Sequence, residues 1–228
     1  MKTYLKIQEV EKIIYCATSI RDRLLIRLLF QLGCRVSEAL NITLDDIDFE
    51  QETIKILHLK TRSILLCPSC KTRLARNHRF CPKCGNSISN IINRENINRR
   101  QRILPIDKDT LLVLKEYICQ DKDLNIDHSL SLFRISRHRA WQIFRDCALR
   151  AGITKLFNPE NGRSRGISPH RLRDAFSVHA MKTNDSGEGL RLLQEHLGHA
   201  SFNTTAKYRK IASDEHRSWY NSLWDNDK

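Results

Sequence analysis

Long hydrophobic runs are missing from this 228-residue chain: nowhere do about 18 apolar residues follow one another, which excludes a bilayer-spanning helix. The opening MKTYLKIQEVEK has a helical pattern and lacks the apolar core of a signal peptide, so the sequence reads as cytoplasmic with no membrane partner. Internal repeats and low-complexity tracts are also absent. Acid is the scarce charge, 26 Asp and Glu against 39 Lys and Arg, giving a formal net charge of +13. An excess of that size calls for a polyanionic partner, and for a soluble protein the usual one is nucleic acid. Hydrophobic residues at 40% and charged residues at 29% fit an ordinary globular chain, long enough for one main domain and a small inserted one.

The positive charge is concentrated. Between Lys60 and Arg102 stand eleven Lys or Arg and one acid, Glu95, so this stretch alone holds +10. It also holds four of the eight cysteines, in CPSCKTRLARNHRFCPKCG. Cys67, Cys70, Cys81 and Cys84 form two CPxC pairs, and such tight turns let two thiolates face one ion, with two knuckles completing a tetrahedron. The spacing points to Zn²⁺, and a site closed by four thiolates leaves no open coordination position for catalysis, so the ion is expected to be structural. As thiolates around the ion they would lower the local charge to about +8. His78 within the loop reads as a surface residue. Cys16, Cys34, Cys119 and Cys147 lie singly in apolar helical patterns and read as inert core thiols.

Hydrophobic spacing of 3.6 residues predicts two helices over 6–32, broken at Ile20-Arg21-Asp22 and ended by Gly33, with CRVSEAL opening a third. ETIKILHLK and RQRILPI alternate as strands and read as one hairpin interrupted by an insert at 61–98. Further helices are predicted from an Asp107 or Asp109 cap, over RHRAWQIFRDCALRAGI, from Ser168 as N-cap with Pro169 at the first helical position, and on either side of Gly198-His199-Ala200. FNPENGRSRG reads as a turn-rich, mobile or DNA-facing segment. The expected fold class is α+β, mainly helical, with one small antiparallel hairpin sheet.

Four separated motifs stand in this order: GCRVSE with Arg35, HLK with Lys60, HRLR with His170 and Arg173, and LGH with His199 followed nine residues later by Tyr208. In this order they resemble the catalytic domain of the tyrosine recombinase and integrase family, over nearly the whole chain. The resemblance implies that fold over 1–60 and 99–228, a zinc-ribbon insertion between, and the absence here of the N-terminal core-binding domain that relatives usually carry. It implies site-specific cleavage and rejoining of double-stranded DNA through a 3′-phosphotyrosine on Tyr208, without ATP or catalytic metal, by copies that self-associate on DNA as dimers or tetramers. Arg35 and Arg173 would fork onto nonbridging phosphate oxygens, where planar, permanently charged guanidiniums neutralise a transition state best. Glu38, at i+3 from Arg35, would support it. His170 would act as acid and base, His199 would hydrogen-bond the phosphate, and Lys60 would protonate the leaving 5′-hydroxyl. Two departures stand out: Asp174 follows Arg173 where many relatives have a second His, and the usual glycine-flanked lysine turn is replaced by the insert, so Arg62, Arg100 or Arg102 could take the place of Lys60.

The insert's basic residues, Lys71, Arg73, Arg76, Arg79 and Lys83, together with Arg62, Arg100 and Arg102, are the candidate DNA contacts. A contact between protomers, or a zinc that only tidies a long loop, are the alternatives for the ribbon. In the tail, Trp219, Tyr220, Leu223 and Trp224 fall on one possible helical stripe, for docking a partner or as an intramolecular core helix. Rival functions are supercoil relaxation by the same chemistry, and a zinc-ribbon DNA-binding regulatory or architectural protein with relic catalytic residues.

Overall fold

The computed structural model describes residues 4–57, 64–75, 78–88, 92–94, 101–157 and 162–210. Its helices are α1 Ile7–Tyr15, α2 Ile20–Gln31, α3 Val36–Ala39, α4 Lys108–Gln120, α5 Lys122–Ile126, α6 Arg137–Arg150, α7 His170–Thr183, α8 Gly187–Leu197 and α9 Phe202–Ala206, followed by a 3₁₀ turn over Lys207–Lys210. Its strands are β1 Ile47–Asp48, β2 Thr53–Leu57, β3 Ile64–Leu66, β4 Arg73–Leu74, β5 Ile92–Arg94, β6 Gln101–Pro105, β7 Lys155–Phe157 and β8 Ser164–Gly166. The chain divides into one unit of Met1–Ile56 with Arg102–Lys228 and a second of Leu57–Gln101.

In the first unit α2 is the central element. Leu24, Leu25, Ile26, Leu28 and Leu29 are all buried, so apolar side chains surround the helix rather than forming one stripe, as a helix packed on several sides requires. Its neighbours are α1, α4, α6 and α7. Ser19 Oγ accepts the Asp22 N–H at 3.2 Å and starts α2 at Ile20, so Ile20-Arg21-Asp22 is the first turn of the helix and the break falls before it, not at it. Asp107 is the cap of α4, accepting from Thr110 N–H. Pro169 already has helical dihedrals, but α7 begins one residue later than expected, at His170.

Three small sheets are present among the described residues where one was expected. The sheet of the first unit has the order β1-β2-β6, so the two strands read as a hairpin are hydrogen-bonded neighbours. The segment expected to be only turns has paired flanks, β7 antiparallel to β8, with Leu156 turned into the core between exposed Lys155 and Phe157. Strands of three residues are too short for alternation to reveal. Cys34 and Cys147 are buried and Cys16 is half-buried. Cys119 departs from expectation: it is exposed, because α4 turns Thr110, Leu111, Leu114 and Tyr117 inward.

The second unit is a small antiparallel sheet of order β4-β3-β5 with its own cluster of Cys67, Leu74 and Cys81, backed by Leu65, Cys70 and Ile88. No helix among the described residues is long and apolar enough to cross a membrane.

Candidate active site and metal centre

The site of the first unit is built around one buried cation. Arg173, on α7, is 1% exposed. Its Nη1 donates to Gly33 O at 2.7 Å, and its Nη2 donates to Leu197 O at 2.8 Å and lies 2.9 Å from His199 Nε2. Three of the five N–H donors of the guanidinium are thus held within the protein. Two glycines make this geometry available. Gly33 ends α2 with φ +53°, and a Cβ there would lie 2.5 Å from Phe176 Cδ1, so only glycine lets that carbonyl approach α7. Gly198 closes α8 at φ +64°, and His199 N–H donates back to Gln194 O at 3.1 Å, a Schellman-type turn that sets His199 beside Arg173. Burial, then the neighbouring Arg35, pull the Arg173 guanidinium down to about 10, which still leaves it charged at neutral pH.

Because a guanidinium has only donors, His199 Nε2 must accept from Arg173, and Nδ1 carries the proton and donates to Thr205 Oγ1 at 2.9 Å. Burial, then Arg173 and Arg35, lower His199 to about 4, so the ring is neutral at pH 7. Thr205 is fully buried on α9.

Arg35 is the N-cap of α3. Its N–H donates to Glu38 Oε2 and its Nη1 to Glu38 Oε1 at 2.8 Å, closing a capping-box-like turn. Arg102, from β6, donates to Glu38 Oε2 at 2.7 Å. Glu38 is 3% exposed. Burial pushes its carboxyl up, but Arg102 and the hydrogen bonds from Arg35 outweigh it and bring the carboxyl down to about 2. Arg102 is therefore turned inward onto Glu38, with Nη1 against Gly198.

Tyr208 lies in the 3₁₀ turn after α9, half-buried, its ring stacked 6.4 Å from His199 at 12°. Its hydroxyl donates to Asp174 Oδ1 at 3.1 Å. His170 Nε2 is 3.7 Å from the same oxygen, and Arg171 Nη1 donates to Asp174 Oδ2 at 2.9 Å. Burial, then the Asp174 charge, raise the Tyr208 phenol above its usual range. Arg35, Arg173, His170, His199 and Tyr208 thus gather around the exit of α2 and the first turn of α7. Lys60, Arg62, Arg76 and Arg100, and the tail residues Trp219, Tyr220, Leu223 and Trp224, lie outside the described residues. Asp174 and Thr205 are the site members that sequence reasoning did not assign a role. Asp174 is one turn from His170 on α7, a spacing that places both on one face. Thr205, three residues before Tyr208, has no such signal.

In the second unit the Sγ atoms of Cys67, Cys70, Cys81 and Cys84 all lie within 4.8 Å of one another, with Cys67 and Cys84 at 3.7 Å and Cys70 and Cys81 at 3.4 Å. A tetrahedron of thiolates about 2.3 Å from zinc has edges of about 3.8 Å, so the donor set fits that ion. The two knuckles repeat one geometry. Lys71 N–H donates to Cys67 O, and Gly85 N–H to Cys81 O, with φ +57° at Lys71 and +73° at Gly85. Lys71 occupies the left-handed position that glycine fills in the second knuckle. Thr72, by side chain and then by backbone, pulls the Cys70 thiol down to about 6, whereas at Cys84 the Asn86 backbone bond is outweighed by desolvation and the three neighbouring thiols, which raise the thiol. Lys71, Arg73, Arg79 and Lys83 are all exposed.

The profile of the phage integrase family matches residues 3–215. Among curated relatives, tyrosine recombinase XerD of Mycobacterium tuberculosis is 30% identical over 202 residues, which cover 85% of this chain and 49% of the relative. Among solved structures, XerA recombinase superposes with a TM-score of 0.63 at 21% identity, covering 98% of this chain and 65% of the other. XerH site-specific recombinase bound to palindromic difH substrate, a post-cleavage complex, gives 0.62 at 19% identity, covering 99% and 54%. These two likenesses establish a shared fold. The chain spans about half the length of the curated relatives it matches.

Proposed function

The chain belongs to the phage integrase family, and from that premise we propose that it is a tyrosine site-specific recombinase, breaking and rejoining double-stranded DNA through Tyr208. The observation that carries the reading is the gathering of Arg35, Arg173, His199 and Tyr208, from four distant stretches of sequence, with Arg173 in hydrogen-bond contact with His199 and Tyr208 stacked on it.

In this reading the Tyr208 Oη attacks a backbone phosphorus. A Tyr208 O–P bond forms, the bond from phosphorus to the 5′ oxygen breaks, the phenolic proton passes to His170, and the leaving 5′ oxygen takes a proton from Lys60. The product is a 3′-phosphotyrosine, an ester exchanged for an ester, so a second 5′-hydroxyl can reverse the step with no input from ATP or a catalytic metal. Arg35, held by Glu38, and Arg173 neutralise the nonbridging oxygens as charge builds. His199 accepts from Arg173 at rest, so donating to a phosphate requires a proton on Nε2.

Cys67, Cys70, Cys81 and Cys84 would hold a structural Zn²⁺, which supplies folding energy to the ribbon and no chemistry to the reaction. The exposed Lys71, Arg73, Arg79 and Lys83 suit backbone phosphates, each contact adding about 0.9 to the salt slope of binding. Assembly on DNA as a dimer or tetramer and a cytoplasmic location complete the proposal.

The test is incubation with a nicked suicide DNA duplex carrying the chain's own recombination locus. The wild-type protein is expected to form a covalent adduct that resists denaturation, and Tyr208→Phe to form none while binding the DNA as tightly. Tight binding by the wild type with no adduct would replace this reading with that of a DNA-binding protein whose site is a relic.

A further inference from the structure

The Tyr208 hydroxyl is already engaged, and by an anion. A nucleophile that must become a phenolate before or during attack would be helped by a cation or a neutral base. Here it donates instead to the Asp174 carboxylate, 3.1 Å away. That carboxylate is itself fixed. Arg171 holds Oδ2 at 2.9 Å from one turn earlier on α7, leaving Oδ1 to face Tyr208 and His170. The residue after Tyr208 repeats the pattern: Arg209 donates from Nε to Asp185 Oδ1 at 2.7 Å and from Nη2 to Asp185 O at 2.6 Å. Stacking on His199 adds a third hold on the same turn. Arg173, the cation that should meet a phosphate, is 1% exposed in this arrangement, so a phosphate can reach it only after a covering group moves.

We propose that Asp174 is a positioning residue that holds the Tyr208 hydroxyl as a neutral proton donor against α7 in the DNA-free protein, and that attack requires this hydrogen bond to be given up. The inference rests on the reading of Tyr208 as the nucleophile. Its physical basis is that a carboxylate beside a phenol opposes ionisation of the phenol, and the raised Tyr208 pKa follows the same direction. A carboxylate is also a far weaker base than a phenolate, so it cannot take the proton from the phenol, and at rest that proton stays on Tyr208. Asp185 holds the neighbouring residue at an exposed site, where one ion pair contributes little, and the Tyr208 ring packs on the apolar cluster of Met181, Leu190, Leu193 and Leu197, so the hold that bears on the hydroxyl proton is the one from Asp174.

Two measurements on the full chain decide it. The first is independent of cleavage: nitration of tyrosines by tetranitromethane in DNA-free protein, read site by site by mass spectrometry, with Tyr15, which is exposed, as internal reference. Nitration depends on the phenolate, so Tyr208 should react about tenfold faster in Asp174→Ala, less so in Asp174→Asn, which keeps an acceptor and loses the charge, and Asp174→Glu should restore protection in part. Unchanged Tyr208 reactivity in both Asn and Ala variants overturns the proposal, whether or not the protein cleaves DNA. The second is the single-turnover rate of adduct formation on the suicide duplex at saturating DNA. It should rise severalfold in Asp174→Asn, the variant least disruptive to folding. A fall in that rate, with DNA affinity kept, would overturn the proposal in favour of Asp174 as proton acceptor during attack. A wild type that forms no adduct at all would instead sink the recombinase reading, and the nitration result would still settle the contact.

Discussion

Arg173 shows why one residue type is required at one position. Its fork spans two carbonyls from different parts of the chain and an imidazole nitrogen, a task for a planar group with five fixed donors. Arg173→Lys keeps the charge and loses the span, so adduct formation should fall by about 10²–10³-fold in a single-turnover assay while DNA affinity changes little. The histidines give a second prediction. His199 is lowered to about 4, and so is His196, by its own burial against its bond to Leu32 O, from 6.5 in each case. The unfolded chain therefore binds these protons first: their contribution to stability is full above pH 6.5 and is lost as pH falls toward 4. Glu38, lowered from 4.5 to about 2, extends the loss below pH 4.5. Thermal melting followed from pH 7 to 3 should show a continuous decline, and His196→Gln should make its upper part shallower. Motif order alone made Arg35, His170, Arg173, His199 and Tyr208 legible. The inward turn of Arg102 onto Glu38 was not, because a partner 64 positions away leaves no local pattern.

At the scale of elements, the junction of α2 with α7 is the tightest constraint. A methyl at residue 33 would meet the Phe176 ring at 2.5 Å in a backbone conformation that disfavours side chains. Gly33→Ala should destabilise by about 1–3 kcal/mol in denaturant unfolding, and should also slow adduct formation, since the same carbonyl orients Arg173. A long helix such as α4 behind Asp107 can be read from sequence because cap and periodicity agree, whereas the start of α2 behind Ser19 is masked by an apolar pattern that reads as broken at Ile20-Arg21-Asp22. Three-residue strands such as β7 and β8 cannot, since so few residues show no alternation even when the partner strand is close in sequence. The two cysteine knuckles were legible because metal-ligand geometry demands their spacing, whereas the left-handed backbone at Lys71 gives no sign in a residue that is not glycine.

For the whole molecule, the division into two units has a thermodynamic signature. The second unit has a small apolar cluster in which two of the three buried members are cysteines, too little to hold a fold without bound metal. If the four thiolates hold zinc as proposed, a strong chelator should melt the strands β3, β4 and β5 while the first unit, with its continuous core, keeps its own cooperative transition. Hydrogen exchange resolved along the chain would check this: protection should vanish around Cys67–Ile88 and persist in α2 and α7. A single transition in which both units unfold together would refute that independence. In the sequence, charge and cysteine content change abruptly near Lys60 and Arg102.

Ile106 N–H donates to Glu52 O at 2.8 Å, so the start of β2 faces the end of β6, and the opposite ends of these paired strands, Leu57 and Gln101, come together. An insertion that leaves and returns through adjacent doors asks almost nothing of its host. Beyond Lys60, the residues in between can lengthen, shrink or be swapped for another miniature fold while the ladder on either side stays in register. Such a junction is a socket, through which a lineage can acquire or exchange an accessory module without renegotiating the architecture that receives it.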